Sequence, residues 1–243
     1  MKDKLFLLFM FTIMVPQSSN SQNYEAQYAE FGKLNHGIAV LTFNAQSWLY
    51  KMSYMLEEHI SSDDMYISDD AAESEFDIQL FNYYSFDKKE CLWELVATIQ
   101  KVVVRGSLQD LGWVIHNDST MEIGGYHCIM AECNLCGWEV KAWFAPEIPV
   151  PCGPWRLWGL PGLILKAYSS DGDIDIQMTS LKASSQAPIA PDTSNRKVIA
   201  KDEYVNVCSA NAKKLARILN NSHERSASAD IDVKVKNLDK CFY

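Results

Sequence analysis

After its first residues the chain has no apolar run approaching the roughly 20 residues needed to cross a bilayer, so the mature protein is expected to hold no transmembrane segment. It is also short of positive charge. Twenty-two Lys and Arg stand against 31 Asp and Glu, a formal net charge of −9. Phosphate backbones demand a basic surface, so nucleic acid is excluded as a partner. An anionic membrane surface is disfavoured for the same reason. Histidine is scarce, at five residues, and none sits in a nucleophile–base setting. The sequence lacks a G-x-S-x-G elbow, an H-E-x-x-H helix and the D-x-D-x-D-G loop of a calcium hand. It has no internal repeat, and no alternation of strand and helix of the kind that binds dinucleotides. Glu94, Glu122, Glu139 and Glu147 are carboxylates that nothing in the sequence brings together in pairs. No enzyme and no cofactor are expected.

The front of the chain is a leader. Lys2 and Lys4 precede the short apolar stretch Leu5–Val15, followed by Pro16 and the polar "QSSNS". That is the form of a secretory signal peptide, with Ser19 and Ser21 spaced for cleavage after Ser21. The expected organisation is a signal over 1–21, one β-rich domain over 22–221 and a loose tail over 222–243. The protein is expected to be periplasmic or secreted, with no lipid anchor because no cysteine lies near the cleavage point.

Beyond the leader, most of the chain reads as strands rich in aromatic and β-branched residues: Ile38–Phe43, Ser47–Leu56, Phe76–Phe86, Trp93–Val104 and Leu111–His116. An acidic zone between Glu57 and Asp77 interrupts them and reads as a solvated loop. Ile123–Ala131 and Trp138–Phe144 form a hairpin around "ECNLCG". In its second arm Trp138, Val140, Ala142 and Phe144 share one face, and Glu139, Lys141 and Trp143 the other. Leu163–Tyr168 and Ile174–Ser180 form another hairpin with Asp171-Gly172 at the tip. A polar connector over 184–195 leads to a helix at Asp202–Asn221, where Val205, Cys208, Ala212, Leu215 and Leu219 recur at spacings of three and four. "IDVKVK" in the tail is a further strand signal. The fold class is therefore mainly β: a curved antiparallel sheet or half-barrel with a C-terminal helix.

Proline and glycine, few overall, crowd into one place. Five of the eight prolines lie between Pro146 and Pro161, and four of the seven tryptophans between Trp138 and Trp158. Each proline fixes its own φ and extends the residue before it, so this stretch cannot be a central strand. Gly153, Pro154, Gly159, Pro161 and Gly162 read as a structural buckle. Pro161-Gly162 has the signature of a type II turn, which requires positive φ at Gly162. On that reading Gly162→Val costs about 1–3 kcal/mol through backbone strain.

The string "AWFAPEIPVPCGPWRLWGLPGLIL" closely resembles the core motif of the GLPGLI family, named after Gly159-Leu160-Pro161-Gly162-Leu163-Ile164. Upstream, "WVIHNDSTMEIGGYHC" followed by Ala131 is similar to that family's W-x-I … I-x-G-Y-x-C-x-x-A stretch. The resemblance covers about residues 110–182; the sequence departs from it at the hairpin tip "CNLCG". It implies an exported Bacteroidota protein and supplies no reaction, since the family has no established activity.

The resulting functional reading is an exported binding or accessory protein that holds an apolar or peptide ligand in the concave face of its sheet. An exported or outer-membrane protein is the other partner class. Trp143, Trp155, Trp158 and Leu160 are the candidate ligand-binding residues, because rigid aromatics on a loop suit recognition. The alternative is thiol or metal chemistry at Cys128, Cys133 and Cys136. Seven cysteines in an oxidising compartment imply some disulfides and at least one left over. His127 and Cys128, as neighbours on a strand, point to opposite faces and do not readily share an ion.

Overall fold

Period-two alternation builds nearly every element of this structure, a computed structural model that describes residues 22–33, 36–54, 78–97, 100–135, 137–207 and 210. In β2 (His36–Phe43), Ala39, Leu41 and Phe43 are buried while Ile38, Val40 and Thr42 are less so. The other strands of the first half are β1 (Asn23–Phe31), β3 (Ser47–Tyr54), β4 (Ile78–Ser85), β5 (Glu90–Ala97) and β6 (Gln100–Gly106). The second half holds β7 (Val114–Ile123), β8 (Tyr126–Leu135), β9 (Trp138–Ala145), β10 (Leu163–Ser169) and β11 (Asp175–Ser184). The short β12 (Val198–Ala200) comes last.

All twelve join one open, curved sheet in the order β12-β6-β5-β4-β3-β2-β1-β11-β10-β9-β8-β7. Two meanders, β1–β6 and β7–β11, are joined where β11 pairs antiparallel with β1. Every pairing is antiparallel except β12 against β6. The expected mainly-β architecture is thus present, and both expected hairpins form. Some expectations change. The single strand over 93–104 is a hairpin of β5 and β6, the strand expected at Leu111–His116 is β7 at Val114–Ile123, and β1 and β12 are strands that the sequence pattern does not announce. Helix begins at 201 and is described to 207; the rest of Asp202–Asn221 lies outside the described residues. So do the leader, the acidic zone 57–77, Cys136, Cys208 and the tail.

The main core lies on one face of the sheet. Trp48, Tyr50, Tyr84 and Trp93 come from the first meander, and Val140, Ala142, Phe144 and Leu165 from the second. The opposite face carries a smaller cluster of Leu49, Phe81, Leu92 and Val103. The connector straps across it: Ser47 Oγ donates to Pro188 O at 3.0 Å, and Arg196 lies 5.2 Å from the Phe81 ring centre. Arg196 Nε also pairs with the buried Glu94 carboxylate at 3.2 Å, which offsets the cost of desolvating it.

Candidate functional site

The proline-rich segment between β9 and β10 folds onto the main core and is held by its own backbone. Ile148 N donates to Ala145 O, Leu163 N to Ile148 O and Ile164 N to Cys152 O. Leu157 N donates to Pro154 O at 3.0 Å, closing a tight turn with Trp155 and Arg156 in the middle. Stiff residues suit this path, because a segment with few ladder bonds loses less entropy when its φ angles are already restricted. Cys152, Leu157 and Leu160 are buried completely beneath it.

The segment ties the two meanders together. Asn82 Nδ2, from β4, donates to Trp155 O at 2.9 Å, and Trp158 Nε1 donates to Gln109 O at 2.8 Å. Trp113 Nε1 donates to Trp158 O at 2.8 Å. The Trp158 ring lies 6.1 Å from Tyr84, and the Trp155 ring meets Trp138 edge-on at 6.3 Å. Trp155 and Trp158 stay half-buried at the rim. Leu160 is core rather than rim. Trp143 alternates with Val140, Ala142 and Phe144 and so faces the other side of the sheet. There it borders a groove of about 370 Å³ with Lys166 and Tyr168. The four candidate residues therefore divide between three environments.

Below the segment lies a polar cluster that sequence reasoning missed. Glu30 is fully buried on β1, and the Tyr50 hydroxyl donates to its Oε1 at 2.6 Å. Burial pushes the Glu30 carboxyl up to about 7, while hydrogen bonds from Tyr50 and Tyr54 pull it back down. Tyr28, edge-on to Tyr50 at 5.8 Å, donates its hydroxyl to Ile164 O at 2.8 Å. Arg156 packs its guanidinium 5.7 Å from the Trp155 ring centre and 5.9 Å from that of Trp93. Burial lowers its pKa, and the neighbouring Tyr204 and Tyr54 oppose that fall. The inward carboxylate at position 30, in register with buried Ala26 and Tyr28, was the only signal in the sequence.

The positive φ expected at Gly162 is found at Gly159 instead. Gly162 does not have positive φ, so the type II turn at Pro161-Gly162 is absent. A Cβ at Gly162 would stand 2.3 Å from Ala145 O, and that close approach is what requires glycine. Gly159 takes the left-handed conformation instead, at φ +93°, with open space around its Cβ position. Trp155 also has positive φ, at 54°.

The described thiols are in the wrong environment for redox chemistry. Cys91, Cys128, Cys133 and Cys152 are free and buried. Desolvation pushes Cys128 up to about 11 and Cys133 up to about 12, so neither offers thiolate at neutral pH. His127 is exposed and Cys128 buried, as their alternation requires. Among the described residues, no three His, Cys, Asp or Glu side chains are grouped to hold a metal. We expect native protein at pH 7.5 to be alkylated at Cys128 and Cys133 at least tenfold more slowly than unfolded protein. Mass mapping of iodoacetamide-treated peptides checks this, and equal rates would favour thiol chemistry after all.

A family model described as a protein of unknown function (Porph_ging) matches residues 134–166, from the end of β8 into β10. No curated protein sequence matches the chain. Among solved structures, PNGF-II in the C2 space group is similar in fold, with a TM-score of 0.52 at 18% identity over 77% of this chain and 32% of that one. PNGF-II in the P21 space group gives 0.51 at 17% identity, over 77% and 33%. The chain thus spans about a third of those proteins, and at this identity the likeness is one of fold. MucB in complex with MucA(peri) superposes less closely, with a TM-score of 0.38 at 8% identity over 73% of this chain and 57% of that one. Among the described residues no helix is long and apolar enough to cross a membrane.

Proposed function

We propose that this is an exported, non-catalytic binding or accessory protein of the GLPGLI family. Its ligand, an apolar molecule or an apolar peptide side chain, sits against the rim formed by Trp155 and Trp158 on the concave face. The supporting observation is Trp155 itself, a half-buried tryptophan at φ 54°. Left-handed φ costs an L-residue about 1–2 kcal/mol, and a turn kept only for backbone reasons is better served by glycine. A large aromatic retained at that cost, stacked on a cation and partly open to solvent, fits a recognition surface. Membership of the family is supported by the match over 134–166, which contains the Gly159–Ile164 string. The leader at residues 1–21 supports export.

The fluorescent apolar probe 1-anilinonaphthalene-8-sulfonate tests the rim. It is expected to bind the wild type with blue-shifted emission. Trp155→Ala and Trp158→Ala should each weaken binding at least fivefold while the folded baseline persists in circular dichroism. Unchanged affinity in both folded variants would contradict the reading.

A further inference from the structure

The two ends of the sheet are unlike. At one end β12 has three residues, runs parallel to β6, and passes at once into the helical turn at 201. That edge is blunted in the manner of soluble β proteins. At the other end β7 is ten residues long, and its burial pattern is exposed or half-exposed in all but the last. β8 pairs one side of it; among the described residues no strand pairs the other. Its side chains are apolar on both faces: Val114 is 59% exposed, Ile115 38% and Met121 37%. The usual protection of an edge by lysine is missing, since β7 and β8 hold Asp118, Glu122 and Glu132 and no lysine or arginine. Glu147 adds a fourth carboxylate, accepting from the His127 amide at 3.1 Å. The one irregularity is a register shift between His116 and Thr120, which splits the edge into two short runs.

We propose that the edge of β7 that no described strand pairs receives an extended segment of a partner protein, alternating basic and apolar residues, as a further strand. Main-chain pairing supplies affinity in such a mode, and side-chain chemistry supplies choice of partner. Asp118 and Glu122 on β7 select a basic segment, Glu132 being paired already with Lys141 at 3.0 Å, and the exposed Val114, Ile115 and Met121 take its apolar positions. A second copy of this chain is disfavoured, because two β7 edges would gather four carboxylates, Asp118 and Glu122 of each, with no lysine or arginine among them. The register shift limits pairing to a few residues in each run, which suits a reversible partner and discourages open-ended stacking.

The test uses a ten-residue peptide alternating valine and lysine, with a control N-methylated at alternate residues. We expect the first to bind the full protein at low salt and weaken at least fivefold at 0.5 M NaCl. The N-methylated control should not bind. Asp118→Lys combined with Glu122→Lys, both exposed sites, should weaken binding at least tenfold, whereas Trp155→Ala should leave it unchanged. Equal binding of the N-methylated peptide, or insensitivity to the charge reversals, would overturn the proposal. So would sedimentation showing a dimer of the protein alone that Val114→Lys dissociates.

Discussion

Gly162→Val is expected to destabilise the protein by about 3 kcal/mol or more, through overpacking that no rotamer can relieve. The new Cβ would meet Ala145 O at 2.3 Å, Ala145 C at 2.6 Å and Pro146 N at 2.9 Å, all backbone atoms. Ala145 O already accepts from Ile148 N, and Leu163 opposite Ala145 begins the β9–β10 ladder. Moving any of these loosens the segment that joins the meanders. Gly159→Ala meets nothing within 4 Å and carries only the cost of left-handed φ, about 1–2 kcal/mol. Denaturant unfolding of the two variants should therefore rank Gly162→Val as clearly the worse. The reverse order would mean that the turn at 159, and not the approach at 162, fixes the segment.

The second large effect is a pH dependence. Glu30 has an ordinary carboxyl value of 4.5 in the unfolded chain and is pushed up to about 7 in the fold by burial. Between those values the native state holds a proton that the unfolded state releases. Stability therefore falls as pH rises from 4.5 to 7 and is level above, the opposite of an ion-paired carboxylate. The gap corresponds to about 3 kcal/mol. Glu30→Gln keeps an acceptor for Tyr50 and removes the titration. Urea unfolding at pH 5 and pH 8 should show the wild type losing about 3 kcal/mol more than the variant across that interval. Identical losses would show that Glu30 is ionised in the folded protein at both pH values.

Much of the sheet was legible because its strands are half-buried. The alternation of Val140, Ala142 and Phe144 against Glu139, Lys141 and Trp143 matches their burial, with Trp138 at the strand's start half-buried. Where both faces are covered, that signal fades. Leu92 and Val103 lie under the connector, so β5 and β6 read as one apolar run. β1 escaped because its inward file includes Glu30, a residue type that normally marks the solvent side. The Pro161-Gly162 dipeptide fits a type II turn locally, but a tertiary approach to Ala145 decides its geometry, and no local pattern carries that information. The cluster of Glu30, Tyr50 and Tyr54 beside Arg156 is likewise assembled from β1, β3 and the 146–162 segment, far apart in sequence.

That the Trp155–Trp158 rim is the binding surface is tested most directly by fluorine NMR. With 5-fluorotryptophan at all seven tryptophans and assignment by single Trp→Phe variants, the protein is titrated with 1-anilinonaphthalene-8-sulfonate. The resonances of Trp155 and Trp158 should shift saturably while that of Trp143, on the opposite face, stays in place. A saturable shift at Trp143 with Trp155 and Trp158 unmoved would contradict a binding role for the rim.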